Sequence, residues 1–521
     1  MRLLSILYEE WEDGRIMKLL LLLLFVGVLI YSGLVSMRKT RTVNDFFLGG
    51  RDVGPWLSAF AYGTTYFSAV IFIGYAGKVG WGFGLSSLWI VVGNTLVGSL
   101  LAWFVLAKRT RILTNRLNVM TMPEFLEVRY RSKNIKIFSA LVIFIFLVPY
   151  SASVYMGLSY LFNQIFGIPY LYAAVFMCAL TALYLVLGGY RAVALTDFIQ
   201  GLVMIAGVGV LLYFVVNSEK VGGLAAGLQR LGEIDPGLVS VVGTPGWLPL
   251  ASLMLLTSLG VWGMPQMVQK FYAIKDEAAI KPAMMVSTFF ALVVTFGAYF
   301  TGGLTRLFFD TLPLDPATGK ATPDMLMPMI INNTLPEIGA AIILLLVLSA
   351  SMSTLASLVL VSSSSIAIDL YKAVSPNHSP KKGVVLMRLL CLVFIALSLI
   401  IALMKPAIIL SLMAMSWGAV AGFFIAPYIY GLFWRGATPA GAWAGGLTGL
   451  SVAVGFALYY KLDAAVIPIV GSAAMLAPLV VLPAVSLVTK QLPEKHLLKV
   501  FGKLSGGGKG AEMSPKEVLL K

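Results

Sequence analysis

The 521-residue chain is 59% hydrophobic and 12% charged, about half the charged share of an ordinary soluble domain. Its formal net charge of +15 lies mostly in short segments between apolar runs, the pattern of charges that hold loops inside rather than of a nucleic-acid surface. Cys178 and Cys391 fall within apolar runs and His378 and His496 in distant loops, which excludes a disulfide framework and a metal-ligand cluster; HExxH, GxSxG and Walker patterns are absent too.

The apolar runs have the length of about 20 residues that a bilayer core demands. They predict thirteen crossings, at roughly 18–37, 56–77, 83–107, 136–165, 170–188, 192–216, 248–269, 283–305, 337–363, 386–404, 407–433, 439–460 and 464–489. Residues 1–17 read as a polar tail. Lys18 and the Leu-rich run after it resemble a signal peptide, but Arg38, Lys39 and Arg41 follow as in a retained anchor. With the N-terminus outside, the inner segments hold 28 of the 38 Lys and Arg residues, which predicts N-terminus out and C-terminus in. Residues 490–521 read as a solvated, partly disordered cytoplasmic tail.

Almost no ionisable side chain is expected at membrane depth; Asp197, six residues after Arg191, comes nearest. Proton-coupled carriers need such a relay, so a bound cation would rely on carbonyls and hydroxyls at broken helices. The second span contains Gly63-Thr64-Thr65-Tyr66-Phe67-Ser68, and the seventh contains Gly260-Val261-Trp262-Gly263-Met264-Pro265-Gln266. Gly263 and Pro265 break the helical ladder, and the two segments lie five helices apart. Matched interruptions point to a binding site between two halves, although a single kink also serves packing. In the ninth span Ala350, Ser353, Thr354 and Ser357 share one helical face. That face is either a ligand surface or a small-residue contact between helices.

These residues resemble the sodium:solute symporters. The likeness runs from about Asn44 to Lys490 through Asp45-Phe46-Phe47-Leu48-Gly49-Gly50-Arg51, Gly188-Gly189-Tyr190-Arg191 with Thr196-Asp197, and Ser351-Met352-Ser353-Thr354 with Asp369-Leu370-Tyr371. The resemblance implies an all-α polytopic membrane protein of the LeuT type. Two inverted five-helix repeats (56–216 and 248–433) would sit within a transporter domain spanning 18–489, with one extra N-terminal and two extra C-terminal helices. It implies sodium bound by the carbonyls of Thr64, Phe67 and Ala350 and the hydroxyls of Ser353 and Thr354. Asp197 would serve the passage of sodium, with pairing to Arg191 or a capping role as the plain alternative. Sodium is then the coupling ion, and import follows alternating access across the cytoplasmic membrane.

The solute is less sharply drawn. Proline carriers of the family have an aspartate near Tyr66 and aromatics at the positions of Thr257 and Val261, and sugar carriers have polar residues at Val70 and Ile71. The pattern around Tyr66 and Gly260–Pro265 looks more like the pantothenate carriers. Half-helix N-termini favour a carboxylate, so the expected cargo is a small carboxylate-bearing solute such as pantothenate, an amino acid or a monocarboxylate. Tyr66, Phe67, Trp262 and Gln266 are candidates for its pocket, unless the aromatics are ordinary core. The rival classes are an ion channel, a proton-coupled or facilitative carrier, a membrane sensor and a membrane enzyme. A channel lacks a filter motif here, an enzyme lacks a nucleophile–base pair, and about 30 residues after position 490 cannot encode an output domain. Neither nucleic acid nor an obligate protein partner is expected.

Overall fold

A computed structural model of the chain describes residues 15–37, 43–315, 318–371 and 380–502. Most of the expected N-terminal tail, the far C-terminal tail and His378 lie outside these residues. The described chain is helical almost throughout, and the pairings Val53–Ile274 and Leu314–Ala321 are isolated bridges rather than strands. In an apolar solvent a helix satisfies its own backbone, which is why long apolar runs take this form.

In order, the main helices are α1 (Arg15–Met37), α2 (Pro55–Tyr66), α3 (residues 70–83), α4 (residues 88–116), α5 (Lys133–Phe166) and α6 (Tyr170–Val216). Then come α7 (Trp247–Gly260), α8 (Pro265–Ala273), α9 (Ile280–Gly303), α10 (Glu337–Ser364), α11 (Pro380–Met404), α12 (Ile409–Phe433), α13 (Pro439–Tyr459) and α14 (Ile467–Leu487). The apolar stretches of α10 and α12 are 89% and 94% buried, against 33% for α11 and 39% for α13. The first two therefore form the interior, and the others face the surroundings.

Ten described helical stretches are long and apolar enough to cross a membrane, against the thirteen expected. Part of the difference is continuity. Residues 70–116 count as one stretch, interrupted only by the turn where Gly84 takes φ 56°. The connection expected at 189–191 is likewise absorbed, because α6 runs unbroken for 47 residues. Its 47 residues suffice for both crossings expected of this stretch, at about 20 residues each.

The C-terminal segment also departs from expectation. Within the segment expected to be solvated from residue 490, Glu494–Phe501 forms a short helix with Val500 buried. The Phe501 ring lies beneath the guanidinium carbons of Arg109, Arg129 and Arg435, at 5.7, 5.1 and 5.6 Å. Cation–π attraction and a small apolar face dock the segment.

One seam holds the first half to the second with no side chains between. A Cβ on Gly80 would stand 1.9 Å from the carbonyl oxygen of Gly302, and one on Gly302 would stand 2.2 Å from that of Ala76. Both contacts are backbone, so neither neighbour can rotate away. Gly302→Val is expected to cost about 1–3 kcal/mol through overpacking, visible as a lower unfolding temperature in detergent. An unchanged midpoint would show that the two helices separate easily.

Candidate functional site

The site begins where α2 stops. Phe67 leaves the helix with φ −114° and ψ 113°, and its N–H still reaches the Gly63 carbonyl at 3.2 Å. Ser68 Oγ accepts from Val70 N at 3.2 Å and starts the chain into α3. The next two carbonyls of α2, those of Thr64 and Thr65, are taken by side chains of α10. Ser353 Oγ donates to Thr64 O at 2.8 Å, and Thr354 Oγ1 lies 3.2 Å from both Thr64 O and Thr65 O.

The same hydroxyls lie 3.1 Å from Ala350 O on their own helix. Four oxygens, those of Thr64, Ala350, Ser353 and Thr354, are thus drawn together from two elements, all in residues almost fully buried. Phe67 O takes no part in these hydrogen bonds. A hydroxyl donates one proton but keeps lone pairs, so the set can turn toward a hard monovalent cation by rotating two O–H bonds.

The second interruption is built differently. α7 ends at Gly260, Trp262 N and Gly263 N close a tight turn onto Leu259 O and Gly260 O, and Met264 is extended. Pro265 then opens α8, where its missing N–H costs nothing. A Cβ on Gly263 would sit 2.8 Å from Ala421 O, so this glycine lets α12 approach the break.

A small cavity lies beside the first interruption. Tyr66, Phe67, Ser68, Val70 and Ile71 line it from the break, with Asn94 and Thr257 on one side and Tyr150, Tyr299, Met413 and Trp417 completing it. Tyr66 stacks on Phe67 with centroids 4.1 Å apart, and its hydroxyl donates to Thr257 O at 2.8 Å. Of the expected pocket residues, Tyr66 and Phe67 stand in this lining. Trp262 instead donates to Val97 O at 3.0 Å, and Gln266 is buried in α8 with Oε1 unpaired. Trp417 escaped sequence reasoning because α12 carries no local signal of its role.

Below the oxygen cluster the sequence expectation needs correcting. The expected seventh crossing ends at residue 269 and leaves Lys270 outside it, yet Lys270 is fully buried on α8 and its Nζ donates to Ser357 Oγ at 3.0 Å. A cationic side chain therefore stands next to the site after all. The reason is that α8 carries Gln266, Gln269 and Lys270 on one stripe and turns it inward. That i, i+3, i+4 polar spacing was the available signal. Asp197 is also fully buried, with neither carboxylate oxygen hydrogen-bonded, and Gln200 one turn on has both amide atoms unpaired. The Arg191 side chain, its suggested partner, lies outside what is described.

A model of the sodium:solute symporter family matches residues 46–449. The chain belongs to the sodium:solute symporter family. It is 30% identical over 428 residues to the high-affinity proline transporter PutP of Bacillus subtilis, covering 81% of this chain and 88% of that protein. Similarity to a sodium/proline symporter of Staphylococcus aureus is 28% over 476 residues, 90% of this chain and 91% of the relative. Among solved structures, the substrate-bound outward-open state of a sodium-coupled sialic acid symporter matches with a TM-score of 0.74 at 17% identity, covering 91% and 99% of the two chains. At that identity the match speaks for the fold. This symporter-family chain is thus an integral membrane transporter and not an enzyme.

A buried acid holds the start of α12 beside the cavity. Asp324, between α9 and α10, accepts from Ile409 N at 3.0 Å through Oδ2, one turn before the cavity residue Met413. Its other oxygen is buried and unpaired, and Asp315, Lys405, Lys78, Tyr160 and Tyr170 are the ionisable groups within electrostatic reach. Lys405 pairs with Asp315 at 2.8 Å and lies 3.9 Å from the centre of the Tyr170 ring.

Burial pushes the Asp324 carboxyl up from 3.8 to about 7. The state with Asp324 buried thus binds the proton more tightly than one with it exposed to water, and its advantage is lost as pH rises through about 7. Labelling of Met413→Cys by a membrane-impermeant thiol reagent, normalised at each pH to a fully exposed thiol because the thiolate is the reacting form, is expected to be faster above that pH than below it. Adding Asp324→Asn, which keeps an acceptor for Ile409 N, is expected to flatten the dependence. A dependence that survives in the double variant would place its origin elsewhere.

Proposed function

We propose that the chain imports a small carboxylate-bearing solute of amino-acid size by symport with sodium. The observation that carries this reading is the joint grip of Ser353 and Thr354 on the Thr64 carbonyl, where a helix of one half is interrupted. A site built across two elements from hydroxyls and carbonyls suits a hard cation and needs no net charge. It also gives the ion a mechanical role, because binding there draws α2 and α10 together. The ligand set proposed is Thr64, Ala350, Ser353 and Thr354, with Phe67 as the fifth member that the family resemblance supplies.

In this reading residues 56–216 and 248–433 are the two inverted repeats, and thirteen crossings leave the N-terminus outside and the C-terminus inside the cytoplasmic membrane. Sodium enters from outside, holds the broken helix in place and completes the solute cavity. Rocking then opens a path past Asp197 toward the cytoplasm. The restart of the chain at Val70 borders the cavity, and a helix N-terminus favours a carboxylate there. The proline transporters among the relatives support the amino-acid class within the carboxylates. The electrical part of the driving force is about 2.3 kcal/mol per charge for each 100 mV.

Uptake of radiolabelled amino acids, pantothenate and monocarboxylates into proteoliposomes tests this. One class is expected to accumulate only with an inward sodium gradient. Ser353→Ala and Thr354→Ala are each expected to raise the sodium concentration for half-maximal uptake about tenfold or more, a loss of about 1.4 kcal/mol in binding. Equal uptake on a proton gradient alone, untouched by either substitution, would overturn sodium coupling.

A further inference from the structure

One turn below the oxygen cluster the interior holds a charge of its own. Ser357 continues the Ala350, Ser353, Thr354 face toward the end of α10, about 6 Å along the axis from Ser353. Its Oγ takes a hydrogen bond from Lys270 Nζ at 3.0 Å and lies 2.9 Å from Thr65 Oγ1. Lysine can only donate, so Ser357 accepts there and its own proton is available to Thr65. Thr65 in turn offers its carbonyl to Thr354 Oγ1 at 3.2 Å. A continuous path therefore joins the Lys270 ammonium to the hydroxyl of the proposed sodium site, through residues that are all almost fully buried.

The charge that would balance Lys270 is held apart from it. Asp197 and Lys270 lie within Coulombic reach of each other, yet both carboxylate oxygens of Asp197 are without a hydrogen bond. Lys270 instead lies 5.0 Å from the centre of the Tyr190 ring and reaches up to Ser357. The ammonium is thus aimed at the cluster rather than at its counter-ion. In a medium that screens weakly, a fixed positive charge one turn from a cation site weakens binding of that cation.

We infer that Lys270 is a positioning residue of the sodium site, a tethered cation that lowers sodium affinity from beneath and so favours release of the ion. The inference rests on the sodium reading of the Ser353 and Thr354 cluster. A plain anchoring role for Lys270, tying α8 to α10, would make the opposite prediction. Losing an anchor loosens the site and weakens sodium, whereas losing a repelling charge tightens it.

The test measures sodium dependence of solute uptake in proteoliposomes and, on the purified protein, sodium-induced change in tryptophan fluorescence. Lys270→Gln is expected to lower the half-saturating sodium concentration about tenfold, from removal of one nearby charge, while slowing maximal uptake. Lys270→Arg is expected to restore the wild-type values. Ser357→Ala, which frees the ammonium to fall toward Asp197, is expected to shift sodium affinity in the same direction and serves if Lys270→Gln does not fold. A wild type indifferent to sodium would overturn the site assignment and this inference together. A sodium-dependent wild type whose variants bind sodium equally or more weakly would overturn the Lys270 role alone.

Discussion

Two carbonyls left over where α2 ends are the constraint from which the rest of the centre follows. In a protein surrounded by lipid, an unpaired carbonyl costs several kcal/mol, and no water is at hand to relieve it. The interruption after Tyr66 is therefore tolerable only because α10 brings Ser353 and Thr354 opposite it. Neither feature makes sense alone. A Ser/Thr face without the break would back-bond to its own helix, and a break without that face would close up or unfold.

The second interruption solves a different problem with different residues. At Gly263 and Pro265 the need is for space and a fresh helix start rather than for partners. Tyr66 links the two solutions, since it ends the first broken helix and donates to Thr257 O on α7. A movement of α7 is consequently felt at the residue that closes one side of the cavity. Asp324 is tied to the same cavity through α12, where Ile409 N and Met413 lie one turn apart.

What the sequence disclosed was whatever leaves a local mark. Gly, Thr and Pro inside apolar runs announced both interruptions, and the i, i+3, i+4 spacing announced the face at Ala350, Ser353, Thr354 and Ser357. Lys270 was misplaced because a charge at the edge of an apolar run looks like the start of a loop; whether it is wet or buried depends on how α8 packs. Trp417 joins the cavity from α12, far along the chain, and nothing nearby in sequence marks it. Trp262 looked suitable by adjacency to a break, but its indole is turned onto Val97 O. The smooth passage of α6 through the Gly188–Gly189 region was hidden for the same reason, since glycine permits a bend without requiring a loop.

Half of the oxygens at the cluster belong to the main chain. Thr64 and Ala350 contribute carbonyls, which every amino acid carries, whereas Ser353 and Thr354 contribute hydroxyls that few can replace. The information that specifies the proposed ion site is therefore divided between side-chain chemistry and the place where a helix ends. Random substitution would see only the first kind. Replacing Ala350 by another small residue leaves its oxygen where it was, while a change that heals the break at Phe67 removes an oxygen without altering the residue that owns it. Selection on such a centre acts on backbone shape as much as on residue identity, so its ancestry is written partly in glycines and prolines that lie outside the oxygen cluster.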